Sequence, residues 1–284
     1  MKDTSLTFIV LTFNEEKHLA RCLESVKNIA SQIVVVDSGS TDKTLDIASK
    51  FGAEIVIHPF RNQADQFNWA LENIEIKGDW ILRLDADEYL TQVLQKEVQE
   101  TLPKVPWEVS GFYMKRRVYF LGRWIRYGGY YPTWILRLFR KGRGKYEKRE
   151  MDEHIILTEG ETRQMKHDFV DENLHDLSWW TEKHNKFSSR ETKARMDFSG
   201  DTGVESDPLG SQTERKRWWK ENVYISLPLF LRVFLYFIYR YIFRFGFLDG
   251  KEGLIFHVLQ GFWHQFLIDA KLFEIKKRQK YDKE

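Results

Sequence analysis

The chain has 284 residues, 30% of them charged and 15% aromatic, with a formal net charge of +2. This length and mix exclude a disordered tail or a low-complexity fibre and leave enough chain to bury a sizeable core. Cys22 is the sole cysteine, which excludes an intrachain disulfide and a cysteine-based zinc or iron–sulfur site and points to a reducing compartment.

The opening residues do not read as a secretory leader, and no run of about 18 uncharged apolar residues occurs, so no plain membrane-spanning helix is expected. The first hundred residues alternate between two periods. Residues 6–11 form an apolar run like a buried strand, and Leu19, Cys22, Leu23, Val26 and Ile29 then recur at helical spacing. Residues 33–36 read as a second strand, stopped by Asp37-Ser38-Gly39-Ser40, with a helix over 41–51 and Ser40 as its N-cap. A third strand over 55–57, a helix over 62–74 and a fourth strand over 80–84 follow, ending in Asp85-Ala86-Asp87-Glu88. Such alternation implies an α/β fold, a parallel sheet with helices on both faces, whose ligands lie beyond the carboxyl ends of the strands. Asn14, Asp37, Asp85 and Asp87 all follow strand ends and are expected along one edge.

From 109 to 170 the pattern is mixed, with β-like runs at 111–119, 134–139 and 155–158. Residues 174–198 read as a polar helix carrying Trp179 and Trp180, and 199–213, rich in Ser, Gly, Asp and Pro, as a linker or mobile loop. Residues 214–284 hold 14 Lys/Arg against 8 Asp/Glu. Within them 225–248 contains no acid and is full of Leu, Phe, Tyr and Ile, interrupted by Arg232, Arg240 and Arg244. Those arginines fall near one helical face, so the segment reads as an amphipathic helix with a cationic stripe suited to a membrane interface, beside the basic Trp218-Trp219 stretch. A core helix of a second domain or a dimer interface fits the same pattern. Nucleic acid fits less well, because the aliphatic content exceeds what base stacking requires.

Three motifs can carry chemistry. Asp85-Ala86-Asp87 places two carboxylates after a buried strand, where their repulsion falls if a hard divalent cation sits between them and a ligand. Asp37 closes a βα turn in which Gly39 allows close approach, so its carboxylate can accept from a base or ribose. Thr12-Phe13-Asn14-Glu15-Glu16 opens a helix. Each motif alone also fits an ordinary capped turn or helix start; Thr91, for example, is placed to cap the helix after the aspartates. No Gly-x-Gly-x-x-Gly and no Walker-type Gly-Lys-Ser/Thr occurs, so the dinucleotide and P-loop readings fail.

Taken together, Thr12-Phe13-Asn14-Glu15-Glu16, Val35-Val36-Asp37-Ser38-Gly39-Ser40-Thr41-Asp42 and Trp80-Ile81-Leu82-Arg83-Leu84-Asp85-Ala86-Asp87-Glu88 resemble the family 2 glycosyltransferases of the GT-A fold. The resemblance is specific over about the first ninety residues. It continues loosely to about 190 through Phe120-Leu121-Gly122-Arg123 and Gly128-Gly129-Tyr130-Tyr131-Pro132, where it resembles bacterial enzymes that extend lipopolysaccharide or lipid-linked glycans. It implies a GT-A, Rossmann-like, mostly parallel sheet with helices on both faces over 1–198, a linker over 199–213, and a helical membrane-associating region over 214–284. It implies that Thr12, Asn14 and Glu15 lie at a nucleotide pocket and that Asp37 holds the base. Asp85 would meet the ribose and metal side, Asp87 would bind Mg²⁺ or Mn²⁺ bridging the diphosphate, and Gln66 and Arg61 would lie near the donor. The attacking hydroxyl needs a base, and Met151-Asp152-Glu153-His154 stands where the family places it. Related sequences often carry a His-Glu pair there, which aligns Glu153 with the Glu and leaves Asp152 as its rival. A single displacement with such a base inverts the anomeric centre. His167, His175 and His184 could aid the metal or the leaving group, and Arg116, Arg117, Arg123 and Arg126 could meet phosphates.

The reading that follows is an inverting, metal-dependent transferase moving a sugar from a UDP-sugar to a membrane glycolipid, a lipid-linked oligosaccharide or lipopolysaccharide core. It would work at the cytoplasmic face of the inner membrane, against anionic lipids and without nucleic acid. Two rivals remain. One is a non-catalytic peripheral protein that binds nucleotide sugar or lipid glycan. The other is a nucleotidyltransferase, which would usually carry a Gly-rich phosphate loop where Phe13-Asn14-Glu15-Glu16 stands.

Overall fold

The computed structural model describes residues 5–147, 153–196 and 206–281. In chain order its strands are β1 (Leu6–Thr12), β2 (Gln32–Asp37), β3 (Glu54–Ile57), β4 (Trp80–Asp85), β5 (Glu88–Leu90), β6 (Val109–Phe120), β7 (Arg123–Ile125), β8 (Thr133–Arg140), β9 (Gly144–Tyr146), β10 (Ile155–Leu157) and β11 (Glu161–Glu172). Its α-helices are α1 (Leu19–Glu24), α2 (Thr44–Lys50), α3 (Gln63–Asn73), α4 (Gln92–Thr101), α5 (Leu177–Met196), α6 (Gln212–Trp218), α7 (Leu231–Ile238), α8 (Gly250–Phe256) and α9 (His264–Tyr281). The chain forms two compact units, Met1–Tyr119 with Thr133–Leu174, and Phe120–Pro132 with His175–Glu284.

The first unit is built on a sheet of order β3-β2-β1-β4-β8-β6-β11-β5. It is parallel from β3 to β4 and between β6 and β11, and antiparallel at β4–β8, β8–β6 and β11–β5. Helices cover both faces, as the alternation predicts. Leu6, Phe8 and Val10 of β1 pack with Leu19, Cys22 and Leu23 of α1 and Leu94 and Val98 of α4. Ile9 and Leu11, pointing the other way, pack with Ala64, Phe67 and Ala70 of α3. Strand pleating sends alternate residues to opposite layers, so one strand serves both cores. Asn62 caps α3 by accepting the Asp65 N–H at 2.7 Å, and Thr91 caps α4 by accepting that of Leu94 at 3.3 Å.

Two local expectations change. Ser40 is not an N-cap, and α2 begins at Thr44. The Ser40 hydroxyl is held by Asp37 and Asn14, and Asp42 accepts the Thr44 N–H at 2.9 Å instead. Strand β11 is not announced by its residues, because its charges are matched sideways. Asp168 pairs with Lys115 at 3.2 Å and Arg117 at 2.5 Å, and Asp171 with Arg116 at 3.3 Å, across to β6. Such cross-strand ion pairs replace the apolar alternation that marks a strand.

The second unit is helical, and its limits differ from a division at 198 and 214. Helix α5 packs with α9, where Lys271 donates to Asn185 Oδ1 at 2.8 Å and Ser188 Oγ at 2.7 Å. The Phe120 and Trp180 rings meet at 6.1 Å. Asp249 accepts the Arg126 and Tyr127 N–H groups at 3.1 and 2.9 Å, which ties residues 120–132 into this unit. Of the expected linker, 199–205 lie outside the described residues, and Ser211 caps α6 in a capping box with Glu214. The single helix expected over 225–248 is broken: Phe230 turns at φ +67° before α7, and Phe245 at φ +59° after it. Among the described residues no helix is long and apolar enough to cross a membrane.

The cationic stripe expected of Arg232, Arg240 and Arg244 does not form. Arg232 is buried and forks onto Asp269, which is itself fully buried and also accepts the Phe230 N–H at 2.9 Å. Arg240 donates to the Gly128 carbonyl at 2.6 Å and lies over the Tyr130 ring at 3.7 Å. Only Arg244 stays exposed. A guanidinium that finds a carboxylate, carbonyl or ring inside the fold gains more than one left among apolar neighbours.

Candidate active site

Parallel register brings the motifs together. Thr12 pairs with Asp37 across β1–β2, and Leu11 with Asp85 across β1–β4. The carboxyl ends of the three strands therefore share one rim of the sheet, as their sequence positions predict.

At that rim the first two motifs are knitted to each other. Asp37 is fully buried. One of its carboxylate oxygens accepts the Gly39 and Ser40 N–H groups at 2.8 and 2.7 Å, and the other accepts the Thr12 and Ser40 hydroxyls at 2.9 and 2.5 Å. Four bonds fill its acceptor positions, so Asp37 holds the turn in shape, with Gly39 at φ +94°. Asn14, in the left-handed region at φ +54°, accepts the Thr41 N–H at 2.8 Å and gives its own N–H to Ser40 Oγ at 2.8 Å. The Glu15 N–H goes to Thr44 Oγ1 at 2.8 Å, the Glu16 N–H to Asp42 at 3.1 Å, and the Lys43 N–H back to Glu16 at 3.2 Å. The Glu15 carboxylate meets Nδ1 of buried His18 at 2.6 Å, while the Leu174 N–H donates to Nε2 of the same ring at 2.8 Å. That second bond puts the ring proton on Nδ1, aimed at Glu15. Buried Gln66 donates to Ser38 Oγ at 2.6 Å and the Val36 carbonyl at 3.3 Å, bracing the end of β2 from behind. Arg61 is exposed, 4.0 Å from Asp65.

The two aspartates of the third motif differ sharply. Asp85 is gripped by Arg83, which forks onto both its oxygens, and by Arg137 at 3.2 Å. Arg137 also donates to buried Glu88 at 2.5 Å, and Glu88 accepts the Asp85 N–H at 2.9 Å. Burial, then the neighbouring Asp85 charge, pushes the Glu88 carboxyl above its usual range. Burial opposes the charge on Arg83, and Asp85, Tyr146 and Glu88 together more than offset it. Among the described residues Asp87 accepts one side-chain bond, from Asn173 at 3.2 Å. Its backbone carbonyl accepts the Glu172 N–H at 3.1 Å, and Arg21, bonded to Glu172 at 2.5 Å, reaches the same carbonyl at 3.5 Å. Asp87 is thus positioned through its backbone and keeps a carboxylate oxygen available. Cys22, 3.7 Å from the Asp85 carbonyl, is inert, because burial and then the acids at 88, 87 and 85 push its thiol up.

Glu153 stands just before β10, within electrostatic reach of Tyr146 on β9. Tyr146 is buried beside Arg83, whose guanidinium lies 5.6 Å from the ring centre. Burial raises the Tyr146 hydroxyl, Arg83 opposes, and Asp85 and Glu153 both add to the rise. Tyr146 therefore stays a phenol within the field of both carboxylates. His154 is turned to Glu147, which accepts its N–H at 2.9 Å. Asp152 lies outside the described residues. The three histidines have other company: His167 meets Glu97 at 2.8 Å, His175 stacks on Trp179 and His184 on Trp180. Among the arginines, Arg116 and Arg117 are held by β11 carboxylates, Arg123 lies 3.7 Å from Glu252, and Arg126 covers the Trp124 ring.

Sequence reasoning missed Arg83, Arg137 and Glu88 as parts of the site. The signal was present in both arginines, each a charge flanked on both sides by apolar residues inside a strand, Trp80–Asp85 and Thr133–Arg140. A buried arginine there requires a carboxylate partner.

Among the described residues no three His, Cys, Asp or Glu side chains form a preformed metal cage. A hard cation fits the donor set nonetheless. Mg²⁺ in particular takes one or two carboxylates and completes its shell from phosphate and water, and Asp87 offers such an oxygen.

Residues 7–168, more than half of the chain, match the family described as Glycosyl transferase family 2. The chain is 33% identical over 165 residues to the lipopolysaccharide core biosynthesis glycosyltransferase LpsC of Rhizobium meliloti (strain 1021), covering 55% of this chain and 58% of that protein. It is 45% identical over 94 residues to a protein named uncharacterized glycosyltransferase from Rickettsia bellii (strain RML369-C), covering 33% of this chain and 31% of that one. The matches thus span about a third to under three-fifths of these relatives' own lengths. Among solved structures, TarS of S. aureus is similar with a TM-score of 0.42 at 16% identity, covering 69% of this chain and 40% of that chain. The mixed sheet with helices on both faces is GT-A-like, and the matched residues contain all three rim motifs. The chain belongs to glycosyl transferase family 2.

Proposed function

We propose that the chain transfers a sugar from a UDP-sugar to a hydroxyl of a membrane glycolipid, a lipid-linked oligosaccharide or lipopolysaccharide core, with inversion at the anomeric carbon. One observation carries the reading: in a family 2 chain, Asp87 stands at the rim of the sheet with a carboxylate oxygen unspent, while its neighbour Asp85 is neutralised by two arginines. Asp87 is the residue to hold Mg²⁺ or Mn²⁺, which when bound offsets the negative charge that builds on a departing diphosphate. Asp85 stays in its arginine grip and faces the ribose side. The rigid loops at 12–16 and 37–44 form the wall against which the nucleotide lies. Glu153 takes the proton of the attacking hydroxyl, with Asp152 as the alternative base. The name of the Rhizobium relative, a lipopolysaccharide core biosynthesis glycosyltransferase, supports a glycolipid acceptor. Work on such an acceptor places the chain at the cytoplasmic face of the inner membrane.

The test measures UDP release from a panel of UDP-sugars, with and without Mn²⁺ and a lipid-linked acceptor, for the wild-type chain and for Asp87→Asn, Glu153→Gln and Asp152→Asn. Release should depend on the cation and acceptor and fall at least ~100-fold in Asp87→Asn with the melting temperature held. Donor binding without turnover under every acceptor condition would favour a non-catalytic binder. Activity undiminished in both Glu153→Gln and Asp152→Asn would remove the base from these two residues.

A further inference from the structure

The second unit has an unusual distribution of charge. Between 225 and 248 there is no acid, yet the cations there do not form its outer surface. Arg232 is committed to Asp269, and Arg240 to Gly128 and Tyr130. What faces outward is Leu231, Phe234, Leu235, Ile238, Ile242 and Phe243, each between 43% and 68% exposed. Their spacing keeps them on one helical face. Exposed apolar side chains continue through residues 245–258, bordered by exposed Arg244 and Lys251. The acids nearest this surface are occupied: Asp249 is buried against the Arg126 and Tyr127 N–H groups, and Glu252 lies 3.7 Å from Arg123. Arg244 has no carboxylate partner among the described residues; its guanidinium meets the Tyr239 hydroxyl at 3.3 Å.

We infer that this face, centred on α7 and continued through α8, inserts into the headgroup and upper acyl region of an anionic phospholipid bilayer, with Arg244 and Lys251 at the level of the phosphates. An apolar, aromatic-rich face edged by unpaired cations matches such a surface in both polarity and charge. A contiguous exposed patch of this kind is rare on a freely soluble chain. A second copy fits less well. A two-fold contact through the same face would oppose like charges with no acid available between them. The inward turn of Arg232 and Arg240 is what makes the depth possible, because it leaves α7 with no outward cation to desolvate. The inference rests on the membrane-acceptor reading and gives it a surface, but it is tested with no sugar donor present, so either can fail alone.

The full chain is sedimented with vesicles of phosphatidylglycerol and phosphatidylethanolamine, and with neutral phosphatidylcholine vesicles. Binding should favour the anionic vesicles and weaken with salt. Phe234→Ser/Phe243→Ser should weaken binding to both at least about tenfold. Arg244→Gln should weaken only the anionic preference. Because the double variant removes exposed side chains, its circular dichroism should match wild type. Should it fail to fold, slowed hydrogen exchange over 231–258 on adding vesicles to the wild-type chain is the independent readout. Absence of vesicle binding by the wild-type chain overturns the inference. So does undiminished binding by the folded double variant, or a wild-type dimer that the double variant dissolves while neither binds vesicles.

Discussion

The arginine cluster behind the rim offers the sharpest quantitative test. Arg137, on β8, is 5% exposed and supplies the ion-pair partner of Glu88, which is 2% exposed. Arg137→Met keeps the length and packing of the side chain while deleting its charge. Among the described residues Glu88 then keeps one hydrogen bond, from the Asp85 N–H at 2.9 Å, with the Arg83 charge nearby. Removing one partner of a buried pair costs about 3–5 kcal/mol. The loss cannot exceed what it costs Glu88 to take up a proton, and burial already pushes that carboxyl upward. The sign follows from linkage. A carboxyl whose folded value lies above its unfolded value of about 4.3 gives a stability fully present below that pH. The contribution is lost, at about 1.4 kcal/mol per pH unit, as pH rises through the folded value. The variant should therefore lie about 3 kcal/mol below wild type at pH 7.5, a fall in melting temperature of roughly 6–12 °C, and the gap should narrow toward pH 5. Adding Glu88→Gln removes the stranded charge and should recover about 1–2 kcal/mol at pH 7.5. Thermal melts by circular dichroism from pH 5 to 8 measure all of this. A variant melting within about 2 °C of wild type at pH 7.5, or no recovery in the double variant, would refute the view that Arg137 neutralises Glu88.

Other outcomes follow from single sites. Asp37→Ala frees two backbone N–H groups and two hydroxyls at once, so it should cost about 2–4 kcal/mol in a melt even with no ligand present. A loss under about 1 kcal/mol would mean the turn holds itself. Gly128 sits at φ +68°, and a Cβ there would lie 2.0 Å from the His257 ring. Gly128→Ala should cost about 2–4 kcal/mol, and His257→Ala in the same chain should restore part of it. His184 and His257 are each pushed down to about 4, mainly by burial. With ordinary histidine near 6.5, the unfolded chain takes up protons that the folded one refuses. Stability should fall as pH drops from about 6.5 toward about 4, and His257→Leu should flatten that slope in denaturant titrations, since neither ring nitrogen has a hydrogen-bond partner to lose among the described residues.

How far the sequence could be read depended on where each side chain's partner lies. The βα alternation of the first ninety residues was legible because buried parallel strands are continuous apolar runs. Once the strands were placed, Thr12, Asp37 and Asp85 had to share a rim. Strand β11 was not legible, because Asp168 and Asp171 answer cations on β6 and cancel the alternation that would have marked it. The orientation of α7 was hidden for a related reason. A 3.6-residue period says which residues share a face, but not whether that face turns inward. Asp269, 37 residues beyond Arg232, decides it. The inequality of Asp85 and Asp87 was likewise out of reach, since it depends on Arg137 some fifty residues away on another strand.

That inequality follows from electrostatics. Two carboxylates one residue apart would repel each other and compete for any cation. Arg83 and Arg137 remove the competition by committing Asp85 to a fixed, neutralised geometry, so only Asp87 is left with charge to offer. The loops beside it follow the same rule, because the N–H groups of Asn14, Glu15, Glu16, Thr41 and Lys43 all bond across the rim to one another's side chains. A rim whose polar groups are so largely satisfied internally is stiff, and a stiff frame holds its few unspent groups where a ligand must meet them. On this argument Asp87→Asn should abolish the response to Mn²⁺ without moving the melting temperature, whereas Asp85→Asn should lower the melting temperature first, by uncovering two buried guanidinium groups. If the two substitutions prove interchangeable in both assays, the division of labour between the aspartates is wrong.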